Sequence, residues 1–334
     1  MGRFTDWYFQ PVVDLIEEFR TPRIISKPVV SLKEVQKVST YRPSTFADYV
    51  GQEKAKQTLR SYIKGVQKRN LTFPHTIIHG NAGCGKTTLA RIIANELNIP
   101  IMESIASEIK DPHDIVWKLQ QFEETSGIVF LDEAHAMERN IVEGLYPLME
   151  DFTYNGKGIQ PFTLIGATTE LGEMIENRRP FVERFKLWIE LEGYVASHIT
   201  EIVKRYKSKM FATENLGESL YDIIGKNSRN TPRTGIRLLE ACVMLDGNVS
   251  QVLSNFNILK DGYTNRDLKL LNYLKDNDKG VGLQSLCSYL DISSELYMYE
   301  IEPYLLQNGL IIRTSRGRKI ANAGIIKLEE LKKV

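Results

Sequence analysis

The sequence predicts an α/β fold: a parallel-sheet domain built around a phosphate-binding P-loop, then a small helical lid domain, then a C-terminal winged-helix domain. Three observations predict it. Short apolar runs alternate with helical patterns between about 41 and 191. The pattern turns helical throughout between about 192 and 262. Three compact helices and an alternating apolar and basic stretch then fill about 263 to 334. With an N-terminal arm over 1–40, this divides the 334 residues into parts of ordinary domain size.

The arm reads as an appendage. "PVVDLIEEF" has the spacing of a short amphipathic helix, and "RTPRIISKPVV" breaks that pattern with two prolines. A loosely ordered arm and a docking peptide for a partner both fit it. In the next part, "TIIH" (76–79), "GIVFL" (127–131), "FTLIG" (162–166) and "KLWIEL" (186–191) read as buried strands. Between the first two, "KTTLARIIANEL" puts Leu89, Ile92, Ile93 and Leu97 on one helical face. From 192 to 262 the candidates are "ASHITEIVKRYKSKM", "LGESLYDIIGK" and "RTGIRLLEACVML", with no strand among them. The last part reads as the helices "RDLKLLNYLKD", "LQSLCSYL" and "SELYMYEIEPYLLQNG". After them "LIIRTSRGRKIA" forms a hairpin turning at Gly317.

Composition narrows the function classes. A net charge of +1 leaves no global basic excess, so any nucleic-acid surface must be local. Cys84, Cys242 and Cys287 form no C-x-x-C pair, which argues against a zinc site or a disulfide framework. No apolar run is long enough for a bilayer, and the first twenty residues lack the basic-then-apolar order of a secretion signal. A cytoplasmic protein without a membrane partner is expected.

"GNAGCGKTT", comprising Gly80, Asn81, Ala82, Gly83, Cys84, Gly85, Lys86, Thr87 and Thr88, fits G-x-x-x-x-G-K-[ST] between a strand and an amphipathic helix. Its glycines let backbone N–H groups face phosphates at a helix N-terminus. Lys86 reaches the β- and γ-phosphates, and Thr87 can coordinate Mg²⁺. Cys84 reads as a tolerated small residue whose alkylation is expected to block nucleotide binding. "GIVFLDEAH" supplies the second half of an ATP site. Asp132 would hold Mg²⁺ through its water shell, and Glu133 would polarise the attacking water. For His135 a structural or coupling role is expected. Arg313, Arg316, Arg318 and Lys319 around "TSRGRK" fit a phosphate-backbone contact, and equally a solvated charged hairpin.

With these motifs in place the chain resembles the AAA+ ATPases and, within them, the RuvB family of Holliday-junction branch-migration motors. The likeness runs from about residue 41 to the C-terminus. It rests on "YRPSTFADYVGQEKAK", "GNAGCGKTTLARIIANEL", "LDEAH", "LYPLMEDF", "PFTLIGATT", "NTPRTGIRLL" and "EPYLLQNGLIIRTSRGR". It implies an ATP hydrolase and DNA helicase, working as a hexameric ring of identical copies on duplex or four-way junction DNA in recombination and repair. It further implies that Tyr41, Arg42 and Pro43, with Tyr49 and Val50, enclose the adenine. Thr168 would serve as sensor 1, meeting the γ-phosphate or the lytic water. Pro232 would pack near the base, and Arg233 would be the sensor-2 arginine that links nucleotide state to domain angle. The basic hairpin would grip DNA backbone inside the ring.

Two departures from the family pattern stand out. Family sequences carry P-L-R-D-R-F where this chain has "PFVERF" (180–185), so Val182 replaces one arginine. Arg184 remains as the expected trans-acting finger, with Arg179 of "ENRR" in reserve. The family's long hairpin for docking the junction-binding protein RuvA is reduced to "DFTYNGKGIQPF", with Asn155-Gly156 as its turn. Docking of a RuvA-type partner is not favoured by so short a hairpin. A clamp-loader-like ATPase of replication and an ATP-binding recruitment scaffold remain as alternative readings.

Overall fold

The computed structural model describes residues 41–122 and 126–333; the expected arm over 1–40 lies outside the described residues. Five strands form one parallel sheet in the order β2-β3-β6-β1-β7. They are β1 (Thr76–Gly80), β2 (Ile101–Ile105), β3 (Ile128–Asp132), β6 (Thr163–Thr168) and β7 (Leu187–Leu191). The four expected strands are present. The fifth, β2, went unread because its sequence, "IMESI", is not a continuous apolar run. It is an edge strand, and Glu103 in its middle faces out to form a two-pronged ion pair with Arg91.

Side-chain alternation along these strands splits the core into two layers. Ile78, Ile128, Phe130, Ile165, Ala167, Leu187, Ile189 and Leu191 face one side, where they meet α1 (Glu53–Arg69) and α2 (Lys86–Leu97). Ile77, Val129, Leu131 and Leu164 face the other. There lie α3 (Pro112–Gln120), α4 (Arg139–Gly144), α5 (Tyr146–Glu150) and α6 (Leu171–Val182). On α2, Leu89, Ile92 and Ile93 are fully buried and Leu97 half-buried, which is the face the periodicity predicts. Each such wholly buried side chain is worth about 2 kcal/mol relative to exposure. The small strands β4 (Thr153–Tyr154) and β5 (Lys157–Gly158) pair as the expected hairpin, with Asn155 and Gly156 both at positive φ, as its two-residue turn requires.

Four helices follow: α7 (Ala196–Met210), α8 (Glu218–Asn227), α9 (Pro232–Met244) and α10 (Val249–Asn255). Their apolar faces, including Ile199, Val203, Leu220, Ile224, Leu238 and Val252, join the α1–α2 layer in one cluster. One expectation fails here. The stretch read as strand-free ends in β8 (Ile258–Lys260), which pairs with β9 (Tyr263–Thr264) across Asp261 and Gly262, both at positive φ. Three residues are too short for period-2 alternation to register.

A separate core gathers α11 (Asn265–Asp276), α12 (Leu283–Leu290), α13 (Ser294–Leu296), a π-helical turn (Tyr297–Ile301), α14 (Glu302–Gln307), the hairpin β10 (Ile311–Thr314) and β11 (Gly317–Ile320), and α15 (Asn322–Leu331). The hairpin turns at Ser315–Arg316, one step before the expected Gly317. Gly317 is needed for a different reason. Its φ is +118°, and a Cβ there would lie 2.1 Å from the Val281 carbonyl oxygen, which bridges to Arg318 as a third strand of the wing.

His75, just before β1, staples the second layer. Its Nδ1 accepts from Leu164 N–H at 2.8 Å and its Nε2 donates to Met149 O at 3.0 Å, so the neutral ring is the form that fits. Burial pushes its pKa down from 6.5 to about 4. The neutral ring therefore contributes stability that is complete above pH 6.5 and is lost as pH falls toward 4, by up to about 3 kcal/mol. Urea unfolding between pH 7.5 and 4 should show a steeper loss for the native chain than for His75→Gln; parallel curves would exclude this role.

Candidate functional site

The order β3-β6-β1 sets three strand ends side by side. Register pairs Leu131 with Gly166 and Thr168 with His79, so Asp132, Thr168 and Gly80 emerge at the same, carboxyl edge of the sheet. In open parallel sheets that edge is where ligands bind. The loop Gly80–Gly85 leaves β1 there and delivers Lys86, Thr87 and Thr88 as the first turn of α2, whose unpaired N–H groups favour an anion.

The loop is held from beneath by Tyr49. Its hydroxyl, buried, donates to the carbonyl oxygens of Cys84 at 3.3 Å and Gly85 at 3.4 Å, and Lys56 Nζ donates to Tyr49 O at 2.8 Å. Burial, and then the neighbouring Tyr194, raise the Tyr49 pKa, so the phenol keeps its proton. Gly85, at φ +98°, has no room for a side chain: a Cβ would sit 2.7 Å from that hydroxyl. Tyr49 thus supports the loop, while Val50 is half-buried beside it in the chain. Tyr41 packs edge-on to Tyr206 of α7, and Arg205 of the same helix donates to Ala47 O and Asp48 O. Pro43 is half-buried; Arg42 is exposed and makes no polar contact with the loop among the described residues.

Lys86 Nζ donates to Gly80 O at 2.7 Å and Asn81 O at 3.0 Å, and burial lowers its pKa. Cys84 is 2% exposed and burial pushes its thiol up, so the expected alkylation must wait for the loop to open. Asp132 Oδ1 accepts from Glu133 N–H at 3.1 Å. Glu133 sits at φ +52°, with its side chain exposed. A hydroxyl at Thr87 and a carboxylate at Asp132, beside glycine amides, make a donor set suited to a hard cation that keeps phosphate and water oxygens.

Thr168 is buried, and its Oγ meets His135 Nδ1 at 3.1 Å and accepts from Glu170 N–H at 2.9 Å. The next residue, Thr169, has a buried hydroxyl with no partner among the described residues. Sequence reasoning passed over Thr169 because the two adjacent threonines are indistinguishable without the strand's facing. His135 bridges neighbouring segments: its carbonyl accepts from Arg178 Nη1 at 2.6 Å, and its Nε2 lies 3.9 Å from Glu170.

Arg233 comes to the loop from α9. Thr231 caps that helix, Pro232 opens it, and the Arg233 side chain lies over Gly83, so that a Cβ on Gly83 would be 3.1 Å from Arg233 Cβ. Arg184 is enclosed within its own chain. Its guanidinium lies 3.7 Å from the Tyr146 ring centroid, pairs with Glu150 at 2.9 Å and donates to Pro180 O. Arg179 is exposed and pairs with Glu183, while Val182 is buried in the second layer.

The basic hairpin divides in two. Arg313 and Arg318 are cross-strand partners, a repulsive pairing by itself. Glu302, wholly buried at the start of α14, accepts from both at 2.7–3.1 Å. Burial raises its pKa, and the bonds from Arg318 and Arg313 outweigh this and leave it lowered. Arg316 at the turn is exposed, and Lys319 is half-buried. Glu302 was missed because an acid inside "EIEPYLL" looks like surface until the two arginines fold over it.

Comparisons with known proteins agree with this arrangement. Residues 41–191 match the Holliday junction DNA helicase RuvB P-loop domain, and residues 260–329 match the RuvB C-terminal winged helix domain. The chain is 34% identical to the Holliday junction branch migration complex subunit RuvB of Mycoplasmopsis pulmonis, over 87% of this chain and 98% of that one. The Campylobacter fetus protein of the same name is 36% identical over 89% and 91%. The solved structure of the Thermotoga maritima RuvB Holliday junction branch migration motor superposes with a TM-score of 0.74 at 31% identity, covering 86% of this chain and 98% of that one. Among the described residues no helix is long and apolar enough to cross a membrane.

The split within the hairpin is testable by stability alone. Arg318→Met leaves Glu302 with one partner and should cost about 3 kcal/mol in urea unfolding, whereas Arg316→Met should stay within about 0.5 kcal/mol of the native chain. Equal losses would refute the division.

Proposed function

The chain belongs to the RuvB family, and on that premise we propose that it is an ATP-driven DNA translocase that moves Holliday junctions as a ring of identical copies. It is a P-loop ATP hydrolase and DNA helicase of the AAA+ class, with a C-terminal winged helix. The observation that carries the reading is the seat of Arg233 on Gly83: the side chain of an arginine from the helices after the sheet lies against the phosphate loop. Family membership favours the motor over the clamp-loader-like and scaffold alternatives.

In this reading, residues 41–191 form the ATPase domain, 192–262 the lid and 263–334 the DNA-binding module. The glycine-loop amides and Lys86 bind the β- and γ-phosphates of ATP, the ammonium leaving the Gly80 and Asn81 carbonyls for a stronger, charged acceptor. Thr87 and Asp132 would hold a magnesium ion, which when bound draws charge from the phosphate oxygens. Glu133, exposed beside Asp132, orients and polarises the attacking water. Thr168 fixes His135, and the unpartnered Thr169 hydroxyl is the one available to the γ-phosphate or the water. Arg233 changes its contact as the γ-phosphate leaves, which turns the lid.

Arg184 acts as the finger in a neighbouring copy's site, leaving Glu150 and Tyr146 to do so, with Arg179 as the reserve. A finger given to a neighbour requires a ring, for which we propose six copies. Arg316 and Lys319 meet DNA phosphates without reading bases, as suits travel over any sequence. A loading partner, if of RuvA type, engages a surface other than the Thr153–Gly158 hairpin, and the work is done in the cytoplasm.

The test is migration of a synthetic four-way junction by the purified full chain with ATP and Mg²⁺. Glu133→Gln should retain ATP binding and lose turnover by about 10²–10⁴-fold. Arg184→Ala should lose about 10³-fold or more in turnover when alone, and regain part of it when mixed with Lys86→Ala copies, which still carry a finger. A chain that hydrolyses ATP at full rate as a monomer would defeat the ring.

A further inference from the structure

The C-terminal module touches two segments that flank the candidate nucleotide pocket, and both segments meet one turn of helix. Tyr297–Ile301 is π-helical, a rare conformation that is found often at functional positions. The first contact comes from Arg229. Its Nη1 donates to Asp267 Oδ2 at 2.7 Å and Gly262 O at 3.1 Å, and its Nη2 donates to Asp267 Oδ1 at 3.3 Å and to the carbonyl of Glu300 at 2.8 Å. The guanidinium also stacks over Tyr304 at 4.3 Å. The second contact comes from Glu170, whose Oε1 accepts from the hydroxyl of Tyr299 at 3.1 Å.

Both anchors lie a few residues from groups at the phosphates. Arg229 precedes Arg233 by four positions, with the cap Thr231 and the rigid start of α9 between them. Glu170 follows Thr168 by two positions and donates its N–H to the Thr168 hydroxyl. The Arg229 arrangement is not one that packing alone would select. Arg229 and Asn230 both hold positive φ, 52° and 58°, a conformation that costs free energy in residues other than glycine. Asp267 is wholly buried and already caps α11 through Thr264, so its charge requires the Arg229 partner.

We propose that the π-helical turn is a two-point latch through which the DNA-binding module senses the nucleotide pocket, with Arg229 and Tyr299 as its positioning residues. A shift of Arg233 carries Arg229 with it and pulls on Glu300. A shift at Thr168 moves Glu170 and pulls on Tyr299. The inference rests on the reading of Arg233 and the Thr168–Thr169 pair as phosphate sensors. Coupling of this kind is reciprocal: DNA held by the module changes nucleotide affinity by the same factor that nucleotide changes DNA affinity.

Two variants test it without stranding a buried charge. Tyr299→Phe removes one hydroxyl. Arg229→Met with Asp267→Asn removes both charges, while the amide oxygen introduced by the second change retains a cap acceptor. In the full chain, hydrogen exchange over residues 297–307 should differ between ATPγS and ADP, and each variant should reduce that difference. Nucleotide affinity in the absence of DNA should stay within about twofold, while the ratio of four-way-junction affinities in ATPγS and ADP falls about fivefold or more in the double variant. Arg229→Lys, which keeps the charge but not the fork, should fall between. Exchange at 297–307 that ignores the nucleotide in the native chain, or variants that keep the native ratio, would overturn the latch. A chain that shows the exchange response but moves no junction would uphold the latch and refute the motor.

Discussion

Everything in the site depends on the adjacency of β3, β6 and β1 in a parallel sheet. Parallel pairing sends every strand out at the same edge, so Asp132, Thr168 and the glycine loop converge although 52 positions separate Gly80 from Asp132. The alternation that buries Ile77 and Val129 on one face and Ile78 and Phe130 on the other fixes the register that keeps them aligned. A one-residue slip would turn the apolar set of a strand toward the wrong layer and carry its terminal side chain out of the site.

Much of this was legible beforehand. Strands buried on both faces announce themselves as apolar runs, and the phosphate loop carries its own glycine spacing. What escaped was of two kinds. Short or edge elements lacked a period: β2 contains Glu103, and β8 has three residues. The helical span of Tyr297–Ile301 was legible, but its π-helical hydrogen bonding was not. A pattern of apolar positions does not distinguish i+4 from i+5 bonding over a single turn.

The other kind concerns charge. Arg313, Arg316, Arg318 and Lys319 are alike as letters, but Glu302 binds two of them and leaves Arg316 outward. Arg184 likewise finds Glu150 and Tyr146, and Arg229 finds Asp267. An arginine is assigned to solvent, to a ligand or to the interior by carboxylates far away in the chain, which local pattern does not reveal. Low dielectric makes those partners matter, since a buried carboxylate left single is costly. The C-terminal module is thereby stiffened by the same residue type that is proposed to contact DNA.

Tyr49 has one more effect. A phosphate loop already fastened from below does not have to be ordered by its guest, so little of the binding free energy goes into shaping it. Fresh and spent nucleotide then meet the same cradle. On the proposed reading, any difference in their residence time falls to the groups that reach the terminal phosphate from elsewhere, with the cradle as the fixed jaw of a vice.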